Sequence, residues 1–392
     1  MPEAVIVSAL RTPVGTAYRG TLRDTTALDL ADHVVRAAAE GLDPERIDDV
    51  ILAEGLAGGG VIARHAAITA GIQNVPGLAV NRHCAASLSA VAGAAGSIRS
   101  GMDELIIAGG VSSGSTAPRE RVRRVTEGGV SEGGEEWVDW FSPTHPDRPD
   151  APNRDMSITI GWSAAVKAGV SREEMDAWAL RSHRNAIRAI DEGRFKEEIV
   201  PIETPHGLFA VDEHPRRDTT MEKLAKLKVL HPEIEGFSIT AGNACGSNDG
   251  AAALVVASDL IAAELGLAPL AVVRSWASVG VDPADTWSAP VKAIPKALSR
   301  AGLTLGDVDL FEINEAFASM CVACVKLLEI DPDKVNVNGS GCSLGHPIAA
   351  TGGRMLTTLI HQLRRQGGGI GVAAMCAGGG MGGAAVIEVP AP

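Results

Sequence analysis

The sequence has few aromatic residues and no long apolar run. Only 3% of its 392 residues are aromatic, and Tyr18 is the single tyrosine, whereas 45 residues are glycine. This composition favours close packing of backbone against backbone over a core built from large rings. No apolar stretch reaches the roughly 20 residues that cross a bilayer, so we predict no membrane span. The start lacks the features of a secretory signal, and we expect a cytoplasmic protein.

Cysteine and positive charge are also scarce. Six cysteines are few for a chain of this length, so we expect free thiols in a reducing compartment. The net charge is −13 and the basic residues form no stripe, which argues against a nucleic-acid partner. The histidines show no ligand spacing, so we predict no metal site. Cys321 and Cys324 have redox spacing but lie within one predicted helix without a second pair, which favours core packing.

Short β-branched runs bounded by glycine alternate with helical patterns. We predict strands over 4–8, 50–53, 104–108, 252–257, 270–275, 310–313, 335–337, 369–374 and 384–389. We predict helices over 26–40, 84–100, 172–193, 292–301, 315–328 and 350–365. The alternation is typical of an α/β protein with mostly parallel sheets. Because the helix over 84–100 is rich in small residues on every side, we expect it to be buried between sheets.

Two parts of the sequence resemble each other. Residues 41–57 align without gaps on 302–318. The identical pairs are Gly41 with Gly302, Leu42 with Leu303, Asp48 with Asp309, Glu54 with Glu315 and Ala57 with Ala318. A helix that opens at Cys84 and a helix that follows His346 each lead to a strand and a glycine pair. We therefore predict two similar halves, separated by a charged, proline-rich insertion.

Three segments carry residues suited to acyl chemistry. Cys84 opens a helix whose macrodipole would lower the pKa of the thiol; the alternative is a buried structural cysteine. His346 lies in a Gly-His-Pro turn, where we expect a pKa near neutrality; the alternative is a surface or capping histidine. Cys376 ends an apolar strand before a run of glycines whose N–H groups can approach an anionic oxygen. For this cysteine the alternative is strand packing.

Asn314 opens the sequence Asn-Glu-Ala-Phe between a predicted strand and a predicted helix. Its amide can hold a water or a carbonyl, and a helix N-cap is an alternative that is compatible with this role. The glycines at 378, 380 and 383 fit a dinucleotide-binding fingerprint formally. That motif needs a following helix, and a strand follows here, so we predict no dinucleotide site.

These segments together resemble the thiolase family. Matching blocks are Val-Asn-Arg-His-Cys84, the block over 240–250, Asn314-Glu-Ala-Phe, Gly345-His-Pro and Cys376-x-Gly378, and they occur in this order along the chain. The resemblance implies a duplicated thiolase-like fold of five layers, α-β-α-β-α, with an inserted loop domain. It implies a first half over 1–117 completed by about 246–268, a CoA- and acyl-binding insertion over 118–245, and a second half over 269–392.

The resemblance also implies a role for each site residue. Cys84 would carry the acyl group, His346 would activate it, and Cys376 would move the proton at the α-carbon. The enolate oxygen would be held by His346 and a water on Asn314. The tetrahedral oxyanion would be held by the N–H groups of Cys84 and Gly378. Contacts to CoA or the acyl chain are expected at Met156, Arg216, Cys245 and Phe317.

The implied activity is cleavage of a 3-ketoacyl-CoA by CoA, or the reverse Claisen condensation. CoA and acyl-CoA would be substrates, with no permanently bound cofactor, and we expect a homodimer or homotetramer. Alternatives are a biosynthetic thiolase specific for acetoacetyl-CoA and a non-catalytic thiolase-like protein that binds CoA or lipid. Cys376 disfavours a decarboxylating condensing enzyme of the same superfamily, because those enzymes use a Cys-His-His or Cys-His-Asn set.

Three segments depart from the family pattern. Ala-Ala-Ser87 follows the nucleophile in place of x-Ser-Gly, and Cys245 replaces the serine that would contact pantetheine. The segment over 109–114 lacks the usual Gly-Gly-x-Glu-x-Met. We expect altered acyl and CoA contacts around an intact catalytic set. Candidates for lining an acyl or ring-bearing pocket, with loop packing as the alternative, are Trp137, Trp140, Phe141 and Trp287.

Overall fold

The computed structural model describes residues 1–55, 61–123, 125–126, 129–130, 137–140 and 143–391. The strands are β1 (Ala4–Arg11), β2 (Gly15–Thr16), β3 (Asp49–Ala53), β4 (Gly77–Val80), β5 (Leu105–Ser113), β6 (Glu120–Arg123), β7 (Val125–Thr126), β8 (Gly129–Val130), β9 (Trp137–Trp140), β10 (Ile202–Thr204), β11 (Gly207–Phe209), β12 (Asn248–Ser258), β13 (Ala271–Gly280), β14 (Leu310–Ile313), β15 (Gly369–Ala377) and β16 (Met381–Val389). The α-helices are α1 (Ala27–Ala39), α2 (Ile62–Thr69), α3 (Ala86–Ser100), α4 (Ser163–Lys167), α5 (Arg172–Asp191), α6 (Met221–Ala225), α7 (Asp259–Glu264), α8 (Ala289–Ala301), α9 (Ala318–Leu328) and α10 (Thr351–Arg365).

Two sets of strands form the large sheet, and their orders match when the pairing of Val335 is counted as the fifth member of the second set. The first runs β4-β3-β5-β12-β1, and the second runs β14-β15-β16-β13. Val335 pairs with Phe311 on β14 and occupies the place in the second set that β4 has in the first. The two sets meet only through the short pairing of Val5 and Ile6 with β13 in the described large sheet. The repeated order reflects the predicted duplication.

The helices arrange these strands into the five layers of the predicted fold class. Helices α3 and α10 share one core with residues of both strand sets, and they form the central layer. Helices α1 and α2 cover the outer face of the first set, and α8 and α9 cover that of the second. The prediction that the small-residue helix over 84–100 lies between sheets is thus confirmed: small side chains allow the close approach that a middle layer needs.

The expectation of mostly parallel sheets is wrong. Parallel pairs are β3–β4, β3–β5 and β14–β15, whereas the described pairs at the centre of the large sheet run antiparallel. A tight glycine turn joins β15 to β16, and such a turn can connect only antiparallel strands. Strand β12 re-enters after the insertion and runs against both β1 and β5.

The aligned segments 41–57 and 302–318 adopt matching structures in their described parts. Gly41 and Gly302 follow α1 and α8 with φ of 77° and 72°, the left-handed conformation that glycine tolerates best. Asp48 accepts hydrogen bonds from the N–H groups of Glu104 and Leu105 at 2.6 and 2.9 Å. Asp309 accepts one from Ile370 at 2.7 Å. Asp48 therefore fixes the start of β5, and Asp309 fixes the start of β15. Position 57 lies outside the described residues.

Some predicted boundaries were wrong at the ends that carry the site. The helix predicted over 84–100 begins at Ala86, and the one predicted over 315–328 begins at Ala318. The strand predicted over 335–337 reduces to the single pairing of Val335, because Asn336 has a φ of 51° that interrupts an extended chain. Glycine-rich and left-handed positions give no unique signal in propensity patterns.

A buried ion network ties the insertion to β1. Arg11 has no exposed surface and donates to Glu198 at 2.7 Å and to both carboxylate oxygens of Asp212 at 2.8 and 2.9 Å. Thr358 of α10 also donates to Glu198. Because these charges are buried, their pairing is required for the native arrangement. The site lies where this insertion meets the two strand sets.

Candidate active site

Cys84 lies between β4 and α3 in a distorted segment. His83 before it has a φ of 46°, which is unusual for a residue with a side chain. The His83 N–H donates to the Asn81 side chain at 2.8 Å and stabilises this turn. Cys84 therefore stands two residues before the first helical residue, Ala86, and not within the helix as predicted.

The expected lowering of the pKa of Cys84 is corrected by its surroundings. Cys84 is half-buried, and the loss of solvent around its sulfur raises the pKa of the thiol to about 11. The nearby backbone N–H groups of Gly378 and of Cys84 itself lower this pKa but offset burial only in part. Cys84 is therefore a neutral thiol at rest, and its segment lies near the glycine turn that follows Cys376.

Cys376 lies at the carboxyl end of β15, before a turn of three glycines. Gly379 and Gly380 have φ of 85° and 75°. A Cβ at Gly378 would lie 2.8 Å from the Thr144 methyl carbon, so the insertion packs directly on this turn. The Gly380 N–H donates to the Thr286 hydroxyl at 3.0 Å. The turn is thus fixed on both sides, with the Gly378 N–H directed at Cys84.

The thiols of the site are close enough to influence one another. Burial, followed by the charges that Cys84 and other neighbouring thiolates would carry, raises the pKa of Cys376 well above its ordinary value. Burial and the neighbouring Cys84 raise the pKa of Cys245 to about 12. Like charges in a buried site oppose each other, so at most one of these thiols ionises at a time.

His346 is buried beside the start of α10. Its Nδ1 lies 2.7 Å from the Thr351 hydroxyl, and its backbone N–H donates to Asn248 at 2.9 Å. Burial, followed by the charge of Arg354, lowers the pKa of His346 to about 3. The expected near-neutral pKa is therefore wrong, because a charged ring is disfavoured in this enclosure. The ring is neutral and able to accept a proton.

Asn314 follows β14 and lies beside both Cys376 and His346. Its N–H donates to Ala374 on β15, two residues before Cys376, at 3.0 Å. Its amide nitrogen lies 3.4 Å from Nε2 of His346. The amide oxygen is buried without a hydrogen-bond partner among the described residues. Helix α9 begins at Ala318 with Phe317 as its N-cap, so the alternative of an N-capping Asn314 is wrong.

Two helices bring the segments of Cys84 and His346 together. The Ser87 hydroxyl on α3 accepts a hydrogen bond from the Gly353 N–H on α10 at 2.9 Å. A Cβ at Gly352 would lie 2.5 Å from the Leu88 nitrogen, so the helices cross at backbone contact. The structure thus brings together the predicted Cys84, His346, Cys376, Asn314 and Gly378.

A cleft of about 700 Å³ runs from Cys245 to the surface of the insertion. Its lining includes the cationic side chains of Arg19, Arg216 and Lys223. His183 and His214 also line it, and burial lowers the pKa of each to about 4, so both are neutral. Lys223 is paired with Asp218 at 2.6 Å, so Arg19 and Arg216 are the lining cations that suit a ligand carrying phosphates.

The other described residues predicted to contact the substrate do not line this cleft. Phe317 is buried against Gly161, where a Cβ would lie 2.8 Å from its ring. Met156 precedes the π-helical turn Ser157–Trp162 and packs against the same core. Trp287 is buried in that core, and its indole N–H has no partner among the described residues. Trp137 is exposed; the Trp140 side chain and Phe141 lie outside the described residues.

Three contacting residues were not predicted from the sequence. Thr351 bonds the His346 ring, Asn248 bonds the His346 backbone, and Thr144 packs on the Gly378 turn. Asn248 lies within the block over 240–250 that resembles the thiolase family, so the sequence did contain a signal that could have identified it. Thr351 and Thr144 carry none, because single threonines occur in helices and loops of every kind and bond mostly to nearby backbone.

Known proteins match the chain in both of its halves. The thiolase N-terminal domain matches residues 4–259, and the thiolase C-terminal domain matches residues 267–389. The chain belongs to the thiolase family.

Individual relatives agree over their full lengths. The chain is 42% identical to a probable acetyl-CoA acetyltransferase of Escherichia coli, covering 99% of each chain. It is 41% identical to a 3-ketoacyl-CoA thiolase of Bacillus subtilis, covering 99% of this chain and 100% of that one. The human mitochondrial 3-ketoacyl-CoA thiolase structure superposes with a TM-score of 0.91 at 36% identity, covering 100% of this chain and 99% of that one.

The protein is therefore an acyltransferase of the thiolase type, suited to thiolytic cleavage or the reverse condensation. Among the described residues, no helix is both long and apolar enough to cross a membrane. The same part of the chain contains no cluster of three His, Cys, Asp or Glu side chains placed to hold a metal ion.

Proposed function

We propose that the protein cleaves 3-ketoacyl-CoA esters with CoA, or condenses two acyl-CoA molecules, through an acyl-enzyme on Cys84. The observation that carries this proposal is the closeness of the Gly378 backbone N–H to the Cys84 thiol, near enough to lower its pKa. It puts the predicted nucleophile directly against the turn that follows Cys376. A second thiol and an amide donor beside a nucleophilic thiol are what carbon–carbon bond chemistry on a thioester requires.

The first step of cleavage uses Cys84 and His346. The neutral imidazole takes the thiol proton as the sulfur attacks the 3-keto carbon of the substrate. The N–H groups of Cys84 and Gly378 stabilise the resulting oxyanion, and each such donor contributes about 3 kcal/mol. Because the thiol and the ring are neutral at rest, ionisation accompanies substrate attack and does not precede it.

The second step breaks the bond between C2 and C3 of the substrate. The acyl group remains on Cys84, and acetyl-CoA leaves as an enolate. The Cys376 thiol protonates the α-carbon, while His346 and a water on Asn314 hold the enolate oxygen. The unpartnered amide oxygen of Asn314 supports this assignment, because a buried acceptor without a partner is costly unless a bound molecule donates to it.

The third step returns the acyl group to CoA. The thiol of the incoming CoA gives its proton to the Cys376 thiolate and attacks the Cys84 thioester. Acyl-CoA leaves and Cys84 regains a proton from His346. The cleft with Arg19 and Arg216 would hold the phosphates, and Cys245 would lie along the pantetheine. Met156 and Phe317 are proposed for the acyl side.

The domain bounds, the oligomeric state and the cellular location complete the proposal. The halves are 1–117 with 246–268 and 269–392, separated by the insertion over 118–245; the return of β12 beside β1 and β5 supports this division. A homodimer or homotetramer is supported by the outer position of β4, where Leu78 is exposed. Bacterial relatives support a cytoplasmic location.

A panel of 3-ketoacyl-CoA esters tests the proposal. Purified protein is assayed with CoA and esters from acetoacetyl-CoA upward, with Cys84→Ala as the control. We expect thiolysis of at least one ester by the wild type and none by the control. Activity confined to acetoacetyl-CoA would identify the acetoacetyl-specific alternative. No turnover with any ester, together with CoA binding, would instead favour a non-catalytic binding protein.

A further inference from the structure

The hydroxyl of Thr351 contacts the ring of His346 at Nδ1. Thr351 is the first residue of α10, has no exposed surface, and lies 2.7 Å from Nδ1 of His346. Among the described residues, no other group lies within 3.0 Å of a ring nitrogen; the Asn314 amide is at 3.4 and 3.5 Å. Thr351 is therefore the closest constraint on the orientation and tautomer of this ring.

The chemistry fixes the direction of this hydrogen bond. For Nε2 to take the Cys84 proton, the neutral ring must carry its hydrogen on Nδ1. The Thr351 oxygen then accepts from Nδ1–H. After proton transfer both ring nitrogens carry hydrogen, and Nε2–H can donate to the enolate oxygen. An oxygen acceptor at Nδ1 suits both states, and it stabilises the charged ring in a site where burial disfavours it.

We propose, resting on the function proposed above, that Thr351 is a positioning residue that holds His346 with Nε2 free to deprotonate Cys84. A hydrogen bond to the His346 backbone also helps to hold this residue in place. Asn248 fixes the His346 N–H at 2.9 Å, so the main chain is held while Thr351 sets the ring. The short turn Ile348–Ala350 places Thr351 next to the ring five residues after His346.

The test compares three variants. Thr351→Val removes the hydroxyl at nearly constant shape, and Thr351→Ser keeps it. Thr357→Val is the matched control, because this threonine is on the same helix, has no exposed surface, and has a hydroxyl without a partner among the described residues. For each we would measure kcat and KM in thiolysis, the rate of Cys84 acylation by acetyl-CoA, and the thermal midpoint.

Thr351→Val is expected to lower kcat and the rate of Cys84 acylation by about 10- to 100-fold, the usual effect of losing a hydrogen bond to a charged group. The KM values should change less than about twofold, because the CoA contacts are untouched. Thr351→Ser should recover most of the rate, and Thr357→Val should equal the wild type in kcat.

Two results would overturn the proposal. One is a Thr351→Val enzyme with wild-type kcat and acylation rate. The other is a Thr351→Ser enzyme as slow as Thr351→Val at a wild-type thermal midpoint, since the hydroxyl alone would then not account for the loss. If Thr351→Val does not fold, Thr351→Ala removes the same hydroxyl and is measured in its place against Thr351→Ser. Failure of the proposed function is separate: the wild type itself would then show no thiolysis.

Discussion

At the scale of residues, the central feature is a neutral thiol beside a neutral imidazole. Burial raises the pKa of Cys84 to about 11 and lowers that of His346 to about 3. A helix near Cys84 and a turn at His346 could be predicted from the sequence, although the helix begins two residues after Cys84. The enclosure could not be predicted, because it depends on tertiary packing such as that of Thr144 on the Gly378 turn.

The first prediction concerns the reactivity of Cys84 with pH. Alkylation by iodoacetamide requires thiolate. A thiol whose pKa is raised to about 11 gains thiolate throughout the range from pH 7 to pH 10. The alkylation rate of Cys84 should therefore rise about tenfold per pH unit over this range. Peptide mapping after alkylation distinguishes modified Cys84 from modified Cys245. A plateau below pH 8 would show that the resting nucleophile is already ionised.

The second prediction separates the roles proposed for Cys84 and Cys376. Cys376→Ser should still acquire an acyl group on Cys84, because its hydroxyl leaves the Cys84–His346 pair and the Gly378 N–H in place. It should lose condensation and thiolysis, because a serine hydroxyl is too weak an acid and base for the α-proton. Mass spectrometry of the acyl-enzyme and deuterium exchange at the acetyl methyl group report the two steps. Exchange at the wild-type rate in this variant would contradict the role of Cys376.

At the scale of elements, the crossing of α3 and α10 positions the segments of Cys84 and His346 relative to each other. Both helices begin just after the residue they position, and neither has a side-chain cap of its own. The capping acceptor for Gly353 is instead Ser87 from the other helix. Sequence patterns predicted both helices but placed the first start two residues early. A cap supplied by a distant segment leaves no local signal.

The third prediction concerns the hydrogen bond from the Gly353 N–H to the Ser87 hydroxyl. Ser87→Ala leaves the Gly353 N–H buried without its acceptor and should lower the free energy of unfolding by about 1–3 kcal/mol. It should also slow acylation, because the two helix starts are no longer held together. Urea unfolding and kcat are the measurements. Ser100→Ala, the same change at the exposed end of α3, is the control; equal effects of both changes would show that the Ser87 bond does not hold the helices.

At the scale of the whole molecule, the site lies where two similar halves and an insertion meet. The alignment of 41–57 with 302–318 predicted the halves, and the shared turns and aspartates show why it succeeds: both segments form the same helix–turn–strand connection. The antiparallel centre of the large sheet was not predicted. Strand direction depends on which strands become neighbours, and β12, which follows the insertion in the chain, lies between β1 and β5.

The fourth prediction tests how the insertion is held. Arg11→Met leaves the buried Glu198 and Asp212 without their cation and should lower the free energy of unfolding by about 3–5 kcal/mol. Chemical denaturation measures this loss. Arg46→Met, which removes an exposed pair with Glu264, should change stability little. Comparable effects of the two changes would show that the Arg11 network does not secure the insertion.

The most direct measurement of the central claim is the mass of the protein after mixing with acetyl-CoA. We predict one acetyl group on the peptide that contains Cys84, released by added CoA and absent from Cys84→Ala. Transfer to Cys84 is the step on which the roles of His346, Cys376 and Asn314 all depend. No adduct, or an acetyl group on Cys376 or Cys245 with Cys84 unmodified, would contradict this mechanism.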